Sequence, residues 1–186
     1  GPPVPRRVAL CLAPDGMAVE PEVYQALVAA AGRLAEAGWV VDEVVTPPWQ
    51  EAVHMQIRLW MVDMRHAVEG VMQAEADPDA LFVYDQFRRI SPALDLGGLM
   101  DTLQARARLT RLWRMFLADW PIVLCPVSGE PPFPDQLDVR SETDFLRVLQ
   151  AQMPQIASPL MALPGLVVTT SLDGPTPMGV QLLADW

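Results

Sequence analysis

The side chains that most often carry out catalysis are scarce in this sequence. All 13 of its lysine-plus-arginine residues are arginine, so the chain offers no lysine as a general base. The two histidines, His54 and His66, lie 12 residues apart on one predicted helix. That separation is too large for both to bind one metal ion, as a pair four residues apart would. No Gly-x-Ser-x-Gly, Gly-x-Gly-x-x-Gly, phosphate-loop or Cys-x-x-Cys motif occurs. The sequence therefore predicts no catalytic residue, no metal ligand and no cofactor site.

Two other sets of side chains admit more than one interpretation. Cys11 and Cys125 lie in apolar runs, which favours two buried structural thiols over a disulfide or a nucleophile. A group of aromatic and methionine side chains could line an apolar ligand pocket, although packing in the core explains the same spacing. This group is Trp60, Met61, Met64, Trp113, Met115, Phe116 and Trp120.

The composition is that of a folded protein with a buried core. Hydrophobic residues make up 51% of the 186 residues and charged residues 19%, which predicts a single domain over residues 1–186 without an internal boundary. A net charge of −10 argues against nucleic acid as a partner. No run approaches the roughly 18 apolar residues of a membrane span, and residues 1–7 lack a secretory signal pattern. We therefore expect a cytoplasmic protein that does not bind membranes.

The first third of the chain has the pattern of a βαβ unit. Apolar runs predict strands over Arg7–Leu12 and Trp39–Val45. Between them, apolar residues at helical spacing from Pro21 to Ala37 predict a helix, and Gly38 is typical of the turn that ends one.

The middle of the chain is predicted to be helical. Apolar stripes indicate helices from Gln50 to about Ala76, from about Gly98 to Asp119, and from Thr143 to about Ile156. The sequence Asp77-Pro78-Asp79 is expected to break the first of these.

Three further apolar runs complete a predicted α/β fold, a mixed β-sheet of about five strands flanked by helices. They cover Ile122–Cys125, Leu166–Thr170 and Met178–Leu183. The last two should be antiparallel neighbours joined at the Asp173-Gly174-Pro175 turn, because a connection this short cannot cross over to a parallel partner.

The C-terminal segment carries a more specific pattern. Leu163–Thr169 followed by Pro177-Met178-Gly179-Val180-Gln181 resembles the closing pair of strands of the amidase-signature family. Ile122–Val127 is similar to that family's apolar strand ending in proline, and the βαβ unit is similar to the segment that follows its catalytic half. Pro159 and Ala162 depart from the Asn and Gly that the family commonly has before the Leu-Pro step.

The resemblance implies that the chain is the C-terminal portion of an amidase-signature fold. Members of the family cleave amide C–N bonds with a serine nucleophile activated through a second serine and a lysine, all in their N-terminal half. None of these groups can be placed in this sequence, so we expect the chain to be inactive on its own. The implied partners are the missing N-terminal half or a second copy, and the complete enzyme would act on a small-molecule amide.

The resemblance also implies a wall of the substrate pocket, in the loop that follows the third strand. The residues expected there are Pro126, Val127, Ser128 and Phe133. The other interpretation of this segment is a surface loop stiffened by proline. The other interpretation of the whole chain is a noncatalytic α/β module that binds a ligand or a partner.

Overall fold

A five-stranded mixed sheet organises the computed structural model, which describes residues 6–171 and 176–185. Its strand order is β2-β1-β3-β5-β4. The strands are β1 Arg7–Leu10, β2 Val40–Glu43, β3 Ile122–Pro126, β4 Gly165–Ser171 and β5 Met178–Ala184. The predicted fold class and all five predicted strands are confirmed, with shorter limits for β1 and β2. The predicted turn at Asp173-Gly174-Pro175 lies outside the described residues.

Seven α-helices connect and cover these strands in the described part of the chain. They are α1 Pro21–Glu36, α2 Gln50–Asp63, α3 Glu69–Glu75, α4 Pro78–Ile90, α5 Leu96–Asp119, α6 Glu142–Ala151 and α7 Met153–Leu160. A π-helical turn over Met64–Val68 joins α2 to α3, and short 3₁₀ turns occupy Pro14–Gly16 and Leu137–Val139.

The predicted βαβ unit is present. β1 and β2 pair in parallel, with Arg7 opposite Val40, and α1 connects them. Val23 and Leu27 of α1 are buried, as the helical spacing requires. Gly38 has φ +85°, a left-handed conformation that favours glycine where the chain leaves α1 for β2.

The second half of the sheet is antiparallel. β3 pairs in parallel with β1 and antiparallel with β5, which in turn pairs antiparallel with β4. The predicted antiparallel arrangement of the last two strands is therefore confirmed. β4 lies at the edge of the sheet, and a shift in register between Thr169 and Ser171 interrupts its pairing with β5.

The core has one layer on each face of the sheet, because successive side chains of a strand point to opposite faces. Val8 and Leu124 pack with Val23 and Leu27 of α1 on one face. The other face packs against α2, α5 and α7, where Trp49 and Trp113 are fully buried with ring centroids 4.6 Å apart. Core packing thus explains Met61 and Trp113 of the aromatic and methionine group, whereas Trp60 and Met115 are exposed.

The structure differs from the sequence prediction in two helical segments. Asp77-Pro78-Asp79 was expected only to break a helix, but Asp77 also begins α4, because its Oδ1 accepts hydrogen bonds from the N–H groups of Asp79 and Ala80. The helix expected from Thr143 to Ile156 is two helices, α6 and α7. Pro154 lies at an early position of α7, where its missing N–H is tolerated, rather than inside one long helix.

Candidate functional site

The loop after β3 lies beside the carboxyl ends of the parallel strands β1 and β3. Gly129 holds it in place, donating a hydrogen bond to Ala151 O at 2.8 Å and accepting one from Glu20 N at 2.8 Å. A Cβ atom at Gly129 would lie 2.5 Å from Ala18 O, so the close approach requires glycine. The loop is therefore fixed between the start of α1 and the end of α6.

Three of the four residues predicted for the pocket wall converge on one cavity of about 350 Å³, here called the loop cavity. Val127, Ser128 and Phe133 line it, whereas Pro126 does not. Pro126 is the buried last residue of β3 and pairs with Val180. The remaining lining residues are Val23, Glu130, Pro131, Pro132, Gln152, Gln155, Val167, Thr169, Pro177, Met178 and Gly179.

The side-chain hydrogen bonds in the wall of the loop cavity stabilise the conformation of the loop. Ser128 Oγ accepts a hydrogen bond from Glu130 N at 3.2 Å, which makes a local turn. Glu130 also accepts three hydrogen bonds from Arg147, the shortest at 2.6 Å from Nη2. These hydrogen bonds and the charge of Glu130 raise the pKa of Arg147. Among the described residues, no side-chain base has a recorded hydrogen bond to the Ser128 hydroxyl.

A second and larger cavity of about 750 Å³ lies between helices and is here called the helix cavity. Its buried floor includes Val53, Ile57 and Met153. Its other lining residues are Gln50, His54, Met55, Arg58, Ile90, Ser91, Thr143, Leu146, Arg147, Leu149 and Gln150. The sequence did not predict this cavity. The sequence could have indicated only one wall of this cavity. Gln50, His54 and Arg58 recur every four residues and therefore lie on one face of α2.

The two cysteines are free and buried, as predicted. Cys11 follows β1 and its N–H donates to Leu124 O at 2.9 Å, which places it beside Cys125 of β3. Burial raises the pKa of Cys11 to about 11 and raises the pKa of Cys125 well above its usual value. Because the thiolate is the nucleophilic form, burial disfavours reaction of either thiol at neutral pH.

Three buried hydroxyl groups differ in their contacts. Ser158 Oγ donates to Pro154 O at 2.6 Å and lies 3.3 Å from Gln181 Nε2, which donates to it. The hydroxyls of Tyr84 and Ser91 have no hydrogen-bond partner within the described residues. Burial is the main cause that raises the pKa of Tyr84.

Neither a metal site nor a membrane span is apparent in the part of the chain that the structure describes. Over residues 6–171 and 176–185, no three or more His, Cys, Asp or Glu side chains are grouped so that they could hold a metal ion. Within the same ranges, no helix is long and apolar enough to cross a bilayer.

Comparison with known proteins connects this fold to amide hydrolases. The chain is 31% identical to an indoleacetamide hydrolase of Bradyrhizobium diazoefficiens over 187 residues, which cover 98% of this chain and 35% of the relative. It thus spans about a third of the length of that curated relative. No family model matches the chain.

Solved structures show the same fold at lower sequence identity. A 6-aminohexanoate cyclic dimer hydrolase superposes with a TM-score of 0.72 and 19% identity, over 100% of this chain and 42% of the other. A bacterial aryl acylamidase of the amidase-signature family superposes with a TM-score of 0.73 and 14% identity, over 97% of this chain and 40% of the other. The chain resembles part of an amidase-signature enzyme. The expected resemblance to the amidase-signature family is thereby confirmed, and the partial coverage is consistent with a C-terminal portion.

The outer edge of this partial amidase-signature fold is unusually apolar. Leu166, Val167 and Val168 of β4 are 60%, 57% and 40% exposed, so apolar side chains face outward on both sides of the strand. Among the described residues, β4 pairs only with β5, which leaves its other edge free. An exposed, apolar edge strand is a surface on which another strand can pair.

Proposed function

We propose that this chain is the noncatalytic C-terminal portion of an amidase-family hydrolase that cleaves carboxylic amide C–N bonds. Homology to an indoleacetamide hydrolase over 35% of that relative's length is the observation that carries the proposal. In this proposal the chain contributes sheet and substrate-pocket wall, and the nucleophile and its base come from the N-terminal half. The chain is expected to reside in the cytoplasm.

The proposed substrate is a small amide. The relative is named for indoleacetamide, and the structural neighbours include an aryl acylamidase. Apolar side chains line much of both cavities, and such a lining suits a substrate whose acyl group is largely apolar.

The isolated chain should hydrolyse no amide above background. Without lysine, and without another base near Ser128, a serine hydroxyl is a poor nucleophile. The measurement is release of the aniline from a simple anilide by the purified chain. Turnover that survives repurification and rises in proportion to protein concentration would contradict the proposal. The parent reading frame gives an independent check, because the proposal requires an upstream lysine and a stretch rich in Gly and Ser.

The proposed pocket wall is the side of the loop cavity formed by Val127, Ser128 and Phe133, with Pro126 behind it. Phe133 is half-buried and lines the cavity, so it can contact a substrate without being central to the core. In the complete enzyme, Phe133→Ala should change the relative kcat/KM values of aryl and alkyl amides by at least about tenfold, because even one methylene in a hydrophobic pocket is worth roughly 1–3 kcal/mol of discrimination. Its effect on the melting temperature should be small. An unchanged preference together with a lowered melting temperature would instead indicate a structural surface loop.

The proposed partner is the missing N-terminal half, paired along the free edge of β4, or a second copy of the chain if that half is absent. The exposure of Leu166 and Val167 supports this arrangement. The alternative function, a noncatalytic module that binds a ligand, is favoured by one observation. Described residues of this chain line a helix cavity of about 750 Å³, which is large enough for a small molecule.

A further inference from the structure

The two cysteines of this chain lie opposite each other in the centre of the sheet. The parallel pairing of β1 with β3 sets Leu10 opposite Leu124. The N–H of Cys11 donates to Leu124 O at 2.9 Å, so the ladder continues one residue beyond β1 and brings Cys11 opposite Cys125. No other cysteine occurs in the sequence, and both thiols are free.

Both thiols lie on the same face of the sheet. Ala9, Cys11, Val123 and Cys125 belong to the core layer that packs against α2, α5 and α7. Leu124, between two of them, belongs to the layer on the other face, as the alternation of side chains along a strand requires. Cys125 is fully buried and Cys11 is 6% exposed. The two sulfur atoms therefore share one apolar space.

The spacing of the two strands favours an atom between the sulfurs over a direct bond. Neighbouring strands lie about 4.8 Å apart, and opposite residues of parallel strands project their side chains side by side at about that separation. A disulfide requires its two Cβ atoms to be closer, at roughly 3.5–4.5 Å. Two metal–sulfur bonds of about 2.3 Å each, placed in line, separate the sulfur atoms by about 4.6 Å. A metal ion between the thiolates thus fits without movement of either strand.

The number of ligands decides which kind of ion fits. Within residues 6–171 and 176–185, no third His, Cys, Asp or Glu side chain is grouped with Cys11 and Cys125. Structural zinc sites have four ligands, so this pair does not make one. Thiolates prefer soft ions, and the softest d¹⁰ ions bind two sulfur ligands in line. A divalent ion is favoured further, because two thiolates neutralise it and a net charge in an apolar core is costly.

Thr46 supports the thiolate form of Cys11. Its Oγ1 lies 3.8 Å from Cys11 Sγ and accepts a hydrogen bond from Trp49 Nε1 at 2.7 Å. Because the indole N–H uses a lone pair of that oxygen, the hydroxyl hydrogen is free to be donated to the sulfur. Burial raises the pKa of Cys11, and the contact with Thr46 opposes that change. A hydrogen-bond donor is therefore in place beside one of the two sulfurs.

We propose that Cys11 and Cys125 form a two-coordinate site for a soft divalent d¹⁰ cation, held in line between the two thiolates. Each thiol loses its proton as its sulfur–metal bond forms, so one bound ion releases two protons and leaves a neutral complex. The ion joins β1 to β3, at positions 114 residues apart in the sequence. The inference does not rest on the proposed hydrolysis, since it requires only residues of this chain.

The first test counts ions and protons. The probe is HgCl2, titrated into the reduced full chain and followed by native mass spectrometry. We expect saturation at one ion per chain, with two protons released per ion as measured by a pH indicator in weak buffer. A second ion bound with similar affinity would overturn the proposal, because it would mean that each thiol binds an ion of its own.

The second test asks whether both thiols hold the same ion, with glutathione as the competitor. Removal of Hg(II) from the wild-type chain should need at least about a hundredfold more glutathione than removal from Cys11→Ser, because the variant loses the high effective concentration of the second ligand. Cys125→Ala should show the same loss, and it decides the test if Cys11→Ser does not fold. Equal retention by the wild type and either variant would overturn the proposal.

Met17→Leu is the matched control for both cysteine variants. Met17 is 4% exposed in the same core layer, and leucine conserves its volume and leaves both thiols in place. Its retention of Hg(II) should equal that of the wild type. An equal loss in Met17→Leu would contradict the proposal, because it would assign the effect to a disturbed core rather than to a missing ligand.

The melting temperature gives a third result, because an ion that binds only the folded chain raises it. HgCl2 should raise the melting temperature of the wild type and of Met17→Leu, but not that of Cys11→Ser. A lowered melting temperature of the wild type would overturn the proposal, since the ion would then bind only after β1 and β3 separate. None of these results depends on amide turnover, so the proposed function is tested separately.

Discussion

Ser91 and Ser158 are both buried, at 4% and 8% exposure, but only the hydroxyl of Ser158 has hydrogen-bond partners among the described residues. A buried polar group without a partner lowers stability, because it has lost its hydrogen bonds to water. Ser91→Ala should therefore raise the free energy of unfolding by about 1 kcal/mol. Ser158→Ala should lower it by about 1–2 kcal/mol, since Gln181 Nε2 would lose its acceptor.

Urea denaturation of the two variants and the wild type at one protein concentration measures both changes. Equal destabilisation by the two substitutions would contradict this account, because it would mean that Ser91 also makes a stabilising hydrogen bond. The sequence alone could not distinguish these serines. Both precede proline, and the difference between them depends on Pro154 and Gln181, which α7 and β5 bring to Ser158.

At the scale of the elements, Gly129 joins the loop after β3 to the segment that precedes α1. A methyl group there would lie 2.5 Å from the carbonyl oxygen of Ala18, so the backbone would have to move. Gly129→Ala should lower the free energy of unfolding by about 1–3 kcal/mol, as overpacking does in a closely packed site. Gly32 is the matched control, because it is exposed within α1 and nothing lies within 4 Å of an added Cβ. Gly32→Ala should raise the free energy of unfolding by roughly 0.5–1 kcal/mol, since alanine favours helix.

Thermal unfolding followed by circular dichroism gives both values. A Gly129→Ala variant as stable as the wild type would show that the loop is not held against Ala18. Ligand binding in the loop cavity gives a second measurement, because movement of the loop would also displace Val127 and Ser128.

The elements themselves were predictable where local chemistry determines them. Five short apolar runs bounded by proline or glycine predicted all five strands, and the short connection predicted that β4 and β5 are antiparallel. Asp77-Pro78 misled the prediction because these residues begin α4, whereas α3 already ends at Glu75 with Ala76 in a left-handed conformation. For the same reason the sequence did not predict that residues 80–90 are helical.

The loop residues Val127, Ser128 and Phe133 could be predicted to line a pocket because they follow a strand directly. The helix cavity could not, because its walls come from α2, α4, α6 and α7, and the packing of distant helices leaves no local pattern.

At the scale of the whole molecule, the free edge of β4 should cause association. Val167 is 57% exposed on a strand whose outer edge has no partner among the described residues. The net charge of −10 opposes self-association only weakly, because salt screens repulsion beyond about 8 Å at physiological ionic strength. The chain at micromolar concentration should therefore sediment as a dimer or larger species, and Val167→Lys should shift it toward monomer.

Val71→Lys on α3 is the matched control, since Val71 is 58% exposed but belongs to a helix. It should leave the sedimentation profile unchanged. A wild-type chain that sediments as a monomer and melts cooperatively would mean that the chain covers its own core. The noncatalytic binding module would then be the better description.

The pairing of β1 with β3 has a consequence for synthesis on the ribosome. Val8 lies opposite Ile122, so 114 residues must be added after Val8 before its neighbour in the centre of the sheet exists. At about 5–20 residues per second, that interval is on the order of ten seconds. During it, β1, α1 and β2 can form their unit, but the N–H and C=O groups along the other edge of β1 have no strand to pair with. The nascent chain is thus most exposed to misassembly between the synthesis of β2 and the synthesis of β3.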